Sequence, residues 1–439
     1  MLEKIHARGC QLSEAGRHQE ALELWDRTVG IFPDHPVALF GVASSLAQLG
    51  LPGSAVSVLK YSVTQHPIPD SWYQMAQCLR QMQDTDNARQ CYDEALKLNP
   101  DDRLKRHIYT GYAGSYVNMG NPEEGLKWAD KALALKPDFG HAINAKALLL
   151  LEAQRYDEGW KLYAERWKLP GYLVRQYPNI PQWDGRSKVS DTLIIHAEQG
   201  LGDEILFASC VPALREFAPK ILGECQGRLI ELFRRSFPYV TWFPTPETLN
   251  TSDPYFELDG AKSAWFRMGD LPGVIGAQPQ PFLKADPVKV AGYKARLNAL
   301  GPGPYVGFSW KGGSAETHER VRNAPKDRWR DLLQKCPGTP ISIQYGPGEK
   351  LGLPHWECAI SDLDEFAALI SALDLVISCC GASVHFAGGL GIPCWAAVPK
   401  ECAWRYAGDE MRWYSTVKMH KGSWDKVFYS LGYDLENLK

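Results

Sequence analysis

The sequence predicts an α plus α/β multidomain chain: a helical solenoid followed by a pair of doubly wound parallel sheets. Three observations carry this expectation. A small residue, a bulky residue and a proline recur at a spacing near 34 through the first 170 residues. Beyond residue 190, short apolar runs alternate with stretches of helical periodicity. The length, 439 residues, accommodates two or three domains at roughly 150 residues each.

The repeats come first. Pro33, Pro67, Pro100 and Pro137 are separated by 34, 33 and 37 residues. Twelve residues before each stands a small residue: Ala21, Ala55, Ala88 or Gly125, with Gly159 continuing the series. Trp25, Leu59, Tyr92 and Tyr163 follow four residues after the small one, while the fourth unit has Ala129 there with Trp128 beside it. Small residues let two helices approach, and the proline stops the second helix. Ala21, Leu24, Trp25 and Thr28 fall on one helical stripe. A period of this length is the signature of tetratricopeptide (TPR) repeats. Five units are expected over about 2–35, 36–68, 69–104, 105–139 and 140–170, the last as a cap on the following domain. Such arrays form concave surfaces for peptides or partner proteins, or serve as rigid spacers or dimerisation surfaces.

Residues 171–190 form a connector with Pro178, Pro181 and Trp183, expected to be extended and pinned to a surface. The first α/β half, 191–290, opens with the strand Thr192–His196. A helical stretch from Glu204 to Phe217 follows, with a break expected at Pro212. Next come a strand Lys220–Cys225, a helix Arg228–Ser236 and a strand Tyr239–Phe243. The second half, 300–439, repeats the alternation. Its strands are Tyr305–Trp310, Pro340–Tyr345, Leu375–Cys380 and Pro393–Val398. Its helices are Lys326–Cys336, Asp362–Leu373 and Ser383–Leu390. Ligands of such sheets bind outside the carboxyl ends of the strands.

Composition excludes several classes. Lys and Arg number 48 against 51 Asp and Glu, a net charge of -3. Division after residue 184 gives 20 against 22 and 28 against 29, so neither part hides the basic excess of a nucleic-acid binder. No apolar run approaches the roughly 20 residues of a membrane span, and the N-terminus does not read as a signal peptide. The 11 cysteines contain no Cys-x-x-Cys pair, which argues against a zinc site and for reduced thiols in a cytoplasmic protein. The 15 Trp residues divide between the repeats and a group, Trp310, Trp395, Trp404 and Trp413, expected to flank a cleft.

Three loops carry candidate chemistry. Glu198-Gln-Gly200-Leu-Gly202-Asp203 joins a strand to a helix. Its glycines expose backbone amides, and Asp203 reads either as a helix cap or as a catalytic carboxylate. Residue 205 is Ile, so the six-residue dinucleotide fingerprint is not met and a nicotinamide cofactor is disfavoured. Trp310-Lys311-Gly-Gly313 closes a strand, as a phosphate grip or an ordinary turn. Cys380-Gly381-Ala382-Ser383-Val-His385 leads a strand into a helix whose N-terminus suits a diphosphate. His385 is there either a phosphate donor or a structural histidine. Gly388 and Gly389, costly inside a helix, imply close packing or close ligand approach. Arg405 is a further candidate for the cleft.

These segments resemble the heptosyltransferase-like glycosyltransferases of the GT-B fold, in the subset with N-terminal TPR units. The matching stretches are Glu198–Phe207, Val306–Gly313, Ile341–Gln344, Leu375–Trp395, Trp404-Arg405 and Trp413-Tyr414, which cover about 190–430. The resemblance implies transfer of a sugar from a nucleotide-sugar to an acceptor hydroxyl, with inversion, no bound metal and no cofactor. Asp203 matches the general base, Lys311 a donor-phosphate contact and Gly381–His385 the diphosphate loop. Gln344 and Tyr345 lie where the nucleotide base sits. Two departures stand out: Cys380-Gly381 replaces the common Asp-Thr, and Ser209-Cys210 replaces Arg-Tyr. The layout also resembles the O-linked N-acetylglucosamine transferases, in which repeats recruit a protein acceptor, and flagellin glycosyltransferases are a concrete class. The expected function is therefore protein O-glycosylation. A glycan or lipid-linked acceptor, with the repeats binding a partner, and a non-catalytic scaffold stand as alternatives.

Overall fold

The computed structural model describes residues 2–169, 177, 179–245, 258–313, 322–345 and 351–438. The chain divides into two compact units, residues 1–150 and 151–439.

The first unit is a stack of helical pairs. The helices are α1 (Leu2–Glu14), α2 (His18–Ile31), α3 (Pro36–Gln48), α4 (Pro52–Gln65), α5 (Pro69–Gln81), α6 (Thr85–Lys97), α7 (Asp102–Tyr116), α8 (Pro122–Leu135) and α9 (Gly140–Glu152). Prolines open α3, α4, α5 and α8, where a missing N–H costs nothing. Ala21, Ala55 and Ala88 are fully buried between paired helices, as their spacing predicts. Trp25 lies against both Gly9 of α1 and Gly41 of α3, where a Cβ has no room. One regularity was not read from the sequence: a left-handed residue turns each pair. Gly16, Gly50, Gln83, Gly120 and Gln154 all have φ between 61° and 78°, again at the repeat spacing. Two of the five are glutamines, so composition alone does not mark this turn.

The second unit begins with the end of α9 and takes in α10 (Tyr156–Tyr163). Aromatic packing explains this. The Trp160 ring lies 5.3 Å from Trp404 and 6.2 Å from Trp413, both rings near perpendicular to it. Of the connector, residues 170–176 and 178 lie outside the described residues. Its remainder is pinned as expected: Trp183 N donates to Trp265 O at 2.8 Å, and the indole packs on Phe217 and Phe266.

Two parallel sheets follow. The first contains β1 (Thr192–His196), β2 (Lys220–Cys225), β3 (Val240–Pro244) and β4 (Ala264–Arg267), in the order β3-β2-β1-β4. The second contains β5 (Tyr305–Ser309), β6 (Thr339–Ser342), β7 (Leu375–Cys379), β8 (Cys394–Pro399) and β9 (Val417–Gly422), in the order β6-β5-β7-β8-β9. The central strands β1 and β7 are buried at every residue, which is why they read as unbroken apolar runs. Between and around them lie α11 (Leu201–Ala208), α12 (Ile230–Ser236), α13 (Leu271–Ile275), α14 (Pro287–Leu300), α15 (Lys326–Gln334), α16 (Glu357–Ser361), α17 (Leu363–Ser371), α18 (Ala382–Leu390) and α19 (Trp424–Glu436). The expected helix 204–217 is two pieces, because Pro212 lies in a separate 3-10 segment, Val211–Glu216. Among the described residues no helix is long and apolar enough to cross a membrane.

The turn geometry separates backbone strain from packing. Gly50 has φ 78° and open space around its α-carbon, whereas Gly30 lies within α2 with equally open space. Gly50→Ala therefore destabilises by about 1–2 kcal/mol through left-handed strain, and Gly30→Ala stabilises by about 0.5–1 kcal/mol. Urea unfolding of the two variants measures the opposite signs.

Candidate functional site

Each sheet has a point where the strand order reverses. In the first it lies between β1 and β4, and in the second between β5 and β7. The loops leaving these strands define the site, as expected for doubly wound sheets. A cavity of about 560 Å³ is lined by Gly200–Asp203 after β1, by Ser309 and Lys311–Gly313 after β5, and by Cys380–Ser383 and His385 after β7. Gln344, Tyr345, Arg405 and Tyr406 complete the polar wall, while Ile360, Leu363, Phe366 and Phe386 supply an apolar one. The sequence candidates Asp203, Lys311, Gly381, Ala382, Ser383, His385, Gln344, Tyr345, Gly200, Gly202 and Arg405 are thus brought together.

Asp203 is not a helix cap. Gly200, with extended backbone, is the N-cap of α11, and Asp203 sits in the first turn. Its carboxylate is ion-paired with the guanidinium of Arg405, which reaches it through Nε and Nη2. Both side chains are less than a fifth exposed. Burial opposes the charge on Arg405, but Asp203 with Tyr163 and Tyr406 together outweigh it and the arginine pKa is raised.

His385 is held between two tyrosines. Its Nδ1 lies 2.9 Å from the Tyr414 hydroxyl and its Nε2 3.5 Å from that of Tyr406. Burial, assisted by Arg405 and Arg322, pushes its pKa down to about 3. A neutral ring at ordinary pH serves as a hydrogen-bonding wall, not as a cationic phosphate partner. A Cβ on Gly202 would lie 2.9 Å from its Cδ2, so the glycine permits the two loops to meet.

Gln344 clamps the Lys311 turn. Its Oε1 accepts from the amides of Trp310 and Lys311, both at 2.8 Å, and its Nε2 donates to Lys311 O at 3.0 Å. Beside it Tyr345 is 62% exposed on the cavity rim. Gly312 lies against Cys380 O and Gly381, so the two loops of the second switch point touch. Cys380 is a core thiol: its Sγ lies 3.7 Å from Ala397 O, and burial raises its pKa well above the ordinary value. The N-terminus of α18, capped only by the extended Gly381, turns backbone amides toward the cavity.

Several expectations need correction. Trp310 faces the core of the second sheet, packed with Phe308, Trp329 and Phe428, and does not line the cavity. Trp404 and Trp413 are buried with Trp160, and Trp395 packs on His420. Glu198 also lies outside the cavity lining. It is ion-paired with Arg166, which is 1% exposed and also bonds Asp270 Oδ1 at 2.5 Å. Asp270 in turn accepts from Arg267 at 2.9 Å. This network holds the glycine loop from below, and Gln199, with φ 70°, donates from Nε2 to the Tyr163 hydroxyl at 2.6 Å. Gly388 and Gly389 reflect packing: Tyr414 covers the first, and Leu283 and Phe282 cover the second.

Sequence reasoning missed Arg228 and Arg322, which line the cavity with Lys311 and Arg405. Among the described residues the lining therefore carries four cations and one carboxylate, Asp203. Neither arginine belongs to a glycine loop, and only the folded sheets bring them there.

Two buried groups give measurable consequences. Replacing Arg166 by Met leaves Glu198 without its ion-pair partner and Asp270 with Arg267 alone, and destabilises by about 3–5 kcal/mol, read as a lower urea midpoint. Glu204 is 1% exposed and accepts from Gln226 N at 2.8 Å. Burial raises its pKa from 4.5 to about 7, so the folded state binds its proton more tightly than the unfolded one. Stability is then lost as pH rises from about 4.5 to about 7. Glu204→Gln keeps the acceptor and removes this loss, gaining up to about 3 kcal/mol over wild type at pH 8. Thermal unfolding across pH checks that the gap opens in this window and is absent at pH 4.

Residues 6–67 and 69–102 match profiles of the tetratricopeptide repeat. Protein FlbA of Caulobacter vibrioides is 29% identical over 418 residues, an alignment covering 88% of this chain and 70% of that protein. The TPR repeat-containing protein YpiA of Bacillus subtilis is 25% identical over 204 residues, covering 44% of this chain and 47% of that one. A solved thermophilic TPR protein of Thermus thermophilus covers 39% of this chain and 92% of its own, with 23% identity and a TM-score of 0.34. The chain thus carries tetratricopeptide repeats, followed by a parallel-sheet α/β region.

Proposed function

We propose that the second unit is a GT-B type glycosyltransferase that moves a sugar from a nucleotide-sugar to a hydroxyl of a protein acceptor recruited by the repeats. One observation carries this reading: Arg228, Lys311, Arg322, Arg405 and the start of α18 line one cavity together with Asp203, at the switch points of two parallel sheets. Such a field fits a diphosphate. The apolar wall of Ile360, Leu363 and Phe366, with Tyr345 at the rim, fits a base and sugar.

In this mechanism Asp203 takes the proton of the acceptor hydroxyl as its oxygen attacks the anomeric carbon. The bond from that carbon to the donor phosphate oxygen breaks, and the nucleoside diphosphate leaves with the electron pair. Lys311, Arg322 and the α18 amides stabilise the departing charge without a metal ion. Arg405 orients Asp203, and a donor phosphate competing for Arg405 frees the carboxylate to act. Gln344 fixes the Lys311 turn, and neutral His385 holds the wall against Gly202.

The pairing of Asp203 with Arg405 favours one second reading, a nucleotide-binding scaffold without turnover. UDP, GDP, ADP and CMP separate the readings in thermal-shift assays. A nucleotide at about 100 times its Kd stabilises the fold by about 2.7 kcal/mol, and the absence of any shift defeats both readings. With a binding nucleotide found, intact-mass analysis of a co-expressed acceptor measures transfer. Asp203→Asn should abolish transfer and retain nucleotide binding, whereas binding without transfer in the wild type leaves the scaffold.

A further inference from the structure

The first unit sorts its charges by face. The helices α1, α3, α5 and α7 touch in succession, whereas α2, α4, α6 and α8 approach each other less, so the odd-numbered helices form the inner side of the stack. Helices α2, α4, α6 and α8 carry nine acidic and six basic residues. Arg89, Lys97 and Lys127 each pair with a carboxylate three residues earlier. Helices α5 and α7 carry Arg80, Arg103, Lys105 and Arg106 against only Asp70 and Asp102. Among the described residues Arg80, Arg103 and Arg106 ion-pair with no carboxylate. Arg80 bonds Gln77 at 3.3 Å, and Arg106 Nε is buried without a hydrogen-bond partner.

These groups share one face. Tyr73 of α5 lies 6.2 Å from His107 of α7, and a Cβ on Gly114 would lie 2.9 Å from Arg80 Nη2. The two helices thus run side by side at an offset of one repeat, with Tyr73–Gln77–Arg80 along His107–Thr110–Gly114. His107 lies 5.0 Å from Phe139, which the Arg106 guanidinium covers at 5.0 Å. Burial, and then Arg106 and Arg103, lower the His107 pKa, so the arginines are the cations of the face.

We propose that the face of α5 and α7 docks an extended acidic segment of a partner protein. Its carboxylates meet Arg80, Arg103 and Arg106, and one apolar side chain packs against Tyr73, His107 and Phe139. Charge complementarity calls for an acidic partner, and the neighbouring rings favour a peptide over a polyphosphate. The aromatic group of Tyr73, His107 and Phe139 beside the arginines gives an apolar side chain a place to pack, which a polyphosphate lacks. This docking names the chemistry of the recruited partner and stands independently of turnover in the second unit.

Fluorescence anisotropy on the full chain tests it, with a labelled Glu/Asp-rich peptide carrying one Phe and its Gln/Asn counterpart. The acidic peptide should bind at least about tenfold tighter, and the advantage should shrink at high salt. Arg103→Glu with Arg106→Glu should weaken binding by about tenfold or more, and Arg103→Gln with Arg106→Gln by less. Lys97→Glu with Lys127→Glu, on the other helices, should change it less than about twofold, with circular dichroism melts reporting the fold of each variant. Equal affinity for the two peptides overturns the docking, as does equal loss in the two charge reversals. Tighter binding of a single-stranded oligonucleotide or of anionic vesicles, sensitive to the same arginines, assigns the face to those ligands and likewise overturns it.

Discussion

The approach of α11 to α18 governs the second unit. The N-termini of these helices come from different sheets and meet where Gly202 lies under the His385 ring. At that separation Asp203 reaches Arg405, and the cations that line the cavity face a common space. A Cβ at position 202 would lie 2.9 Å from the ring, so the ring or the loops would have to shift. The glycine is therefore explained by packing before any ligand is considered, and the ligand field follows from it.

Net charge hides this arrangement. The chain is nearly neutral, yet among the described residues the cavity collects four cations around one carboxylate, and α5 and α7 hold three arginines with no acidic partner. In the cavity Asp203 pairs with Arg405, and in the first unit the acids lie mainly on α2, α6 and α8. Electrostatic specificity in this molecule is a matter of which helix face or loop a charge occupies.

The repeat period was legible because Ala21, Ala55 and Ala88 must be small wherever paired helices touch. The strands β1, β5 and β7 were legible because burial on both faces demands apolar runs. The glycine loops gave away the site's address, since they break those runs at the carboxyl ends. Contacts distant in sequence were not legible. Glu198 looked like a loop carboxylate until Arg166, 32 residues away, was seen beneath it. Trp310 looked like a cleft residue because its strand ends at the cleft, but strand alternation turns its indole to the core. The edge strands β4 and β9 escaped because Trp265, Arg267, Lys418 and Lys421 give them a mixed pattern. Arg228 and Arg322 had no local signature at all.

The membership of α10 in the second unit bears on how such chains diversify. Trp160 fills a cage of Trp404, Trp413 and Tyr163, next to Arg405 of the cavity. Helical pairs before residue 150 are interchangeable pieces, since each buries its surface on its neighbours and can be gained or lost by duplication and deletion. The last helix is not such a piece. A recombination that exchanged it along with the other repeats would carry away part of the α/β core. Crossovers that leave descendants able to fold are thereby confined to the turns upstream of α9, and the array is free to change length only there.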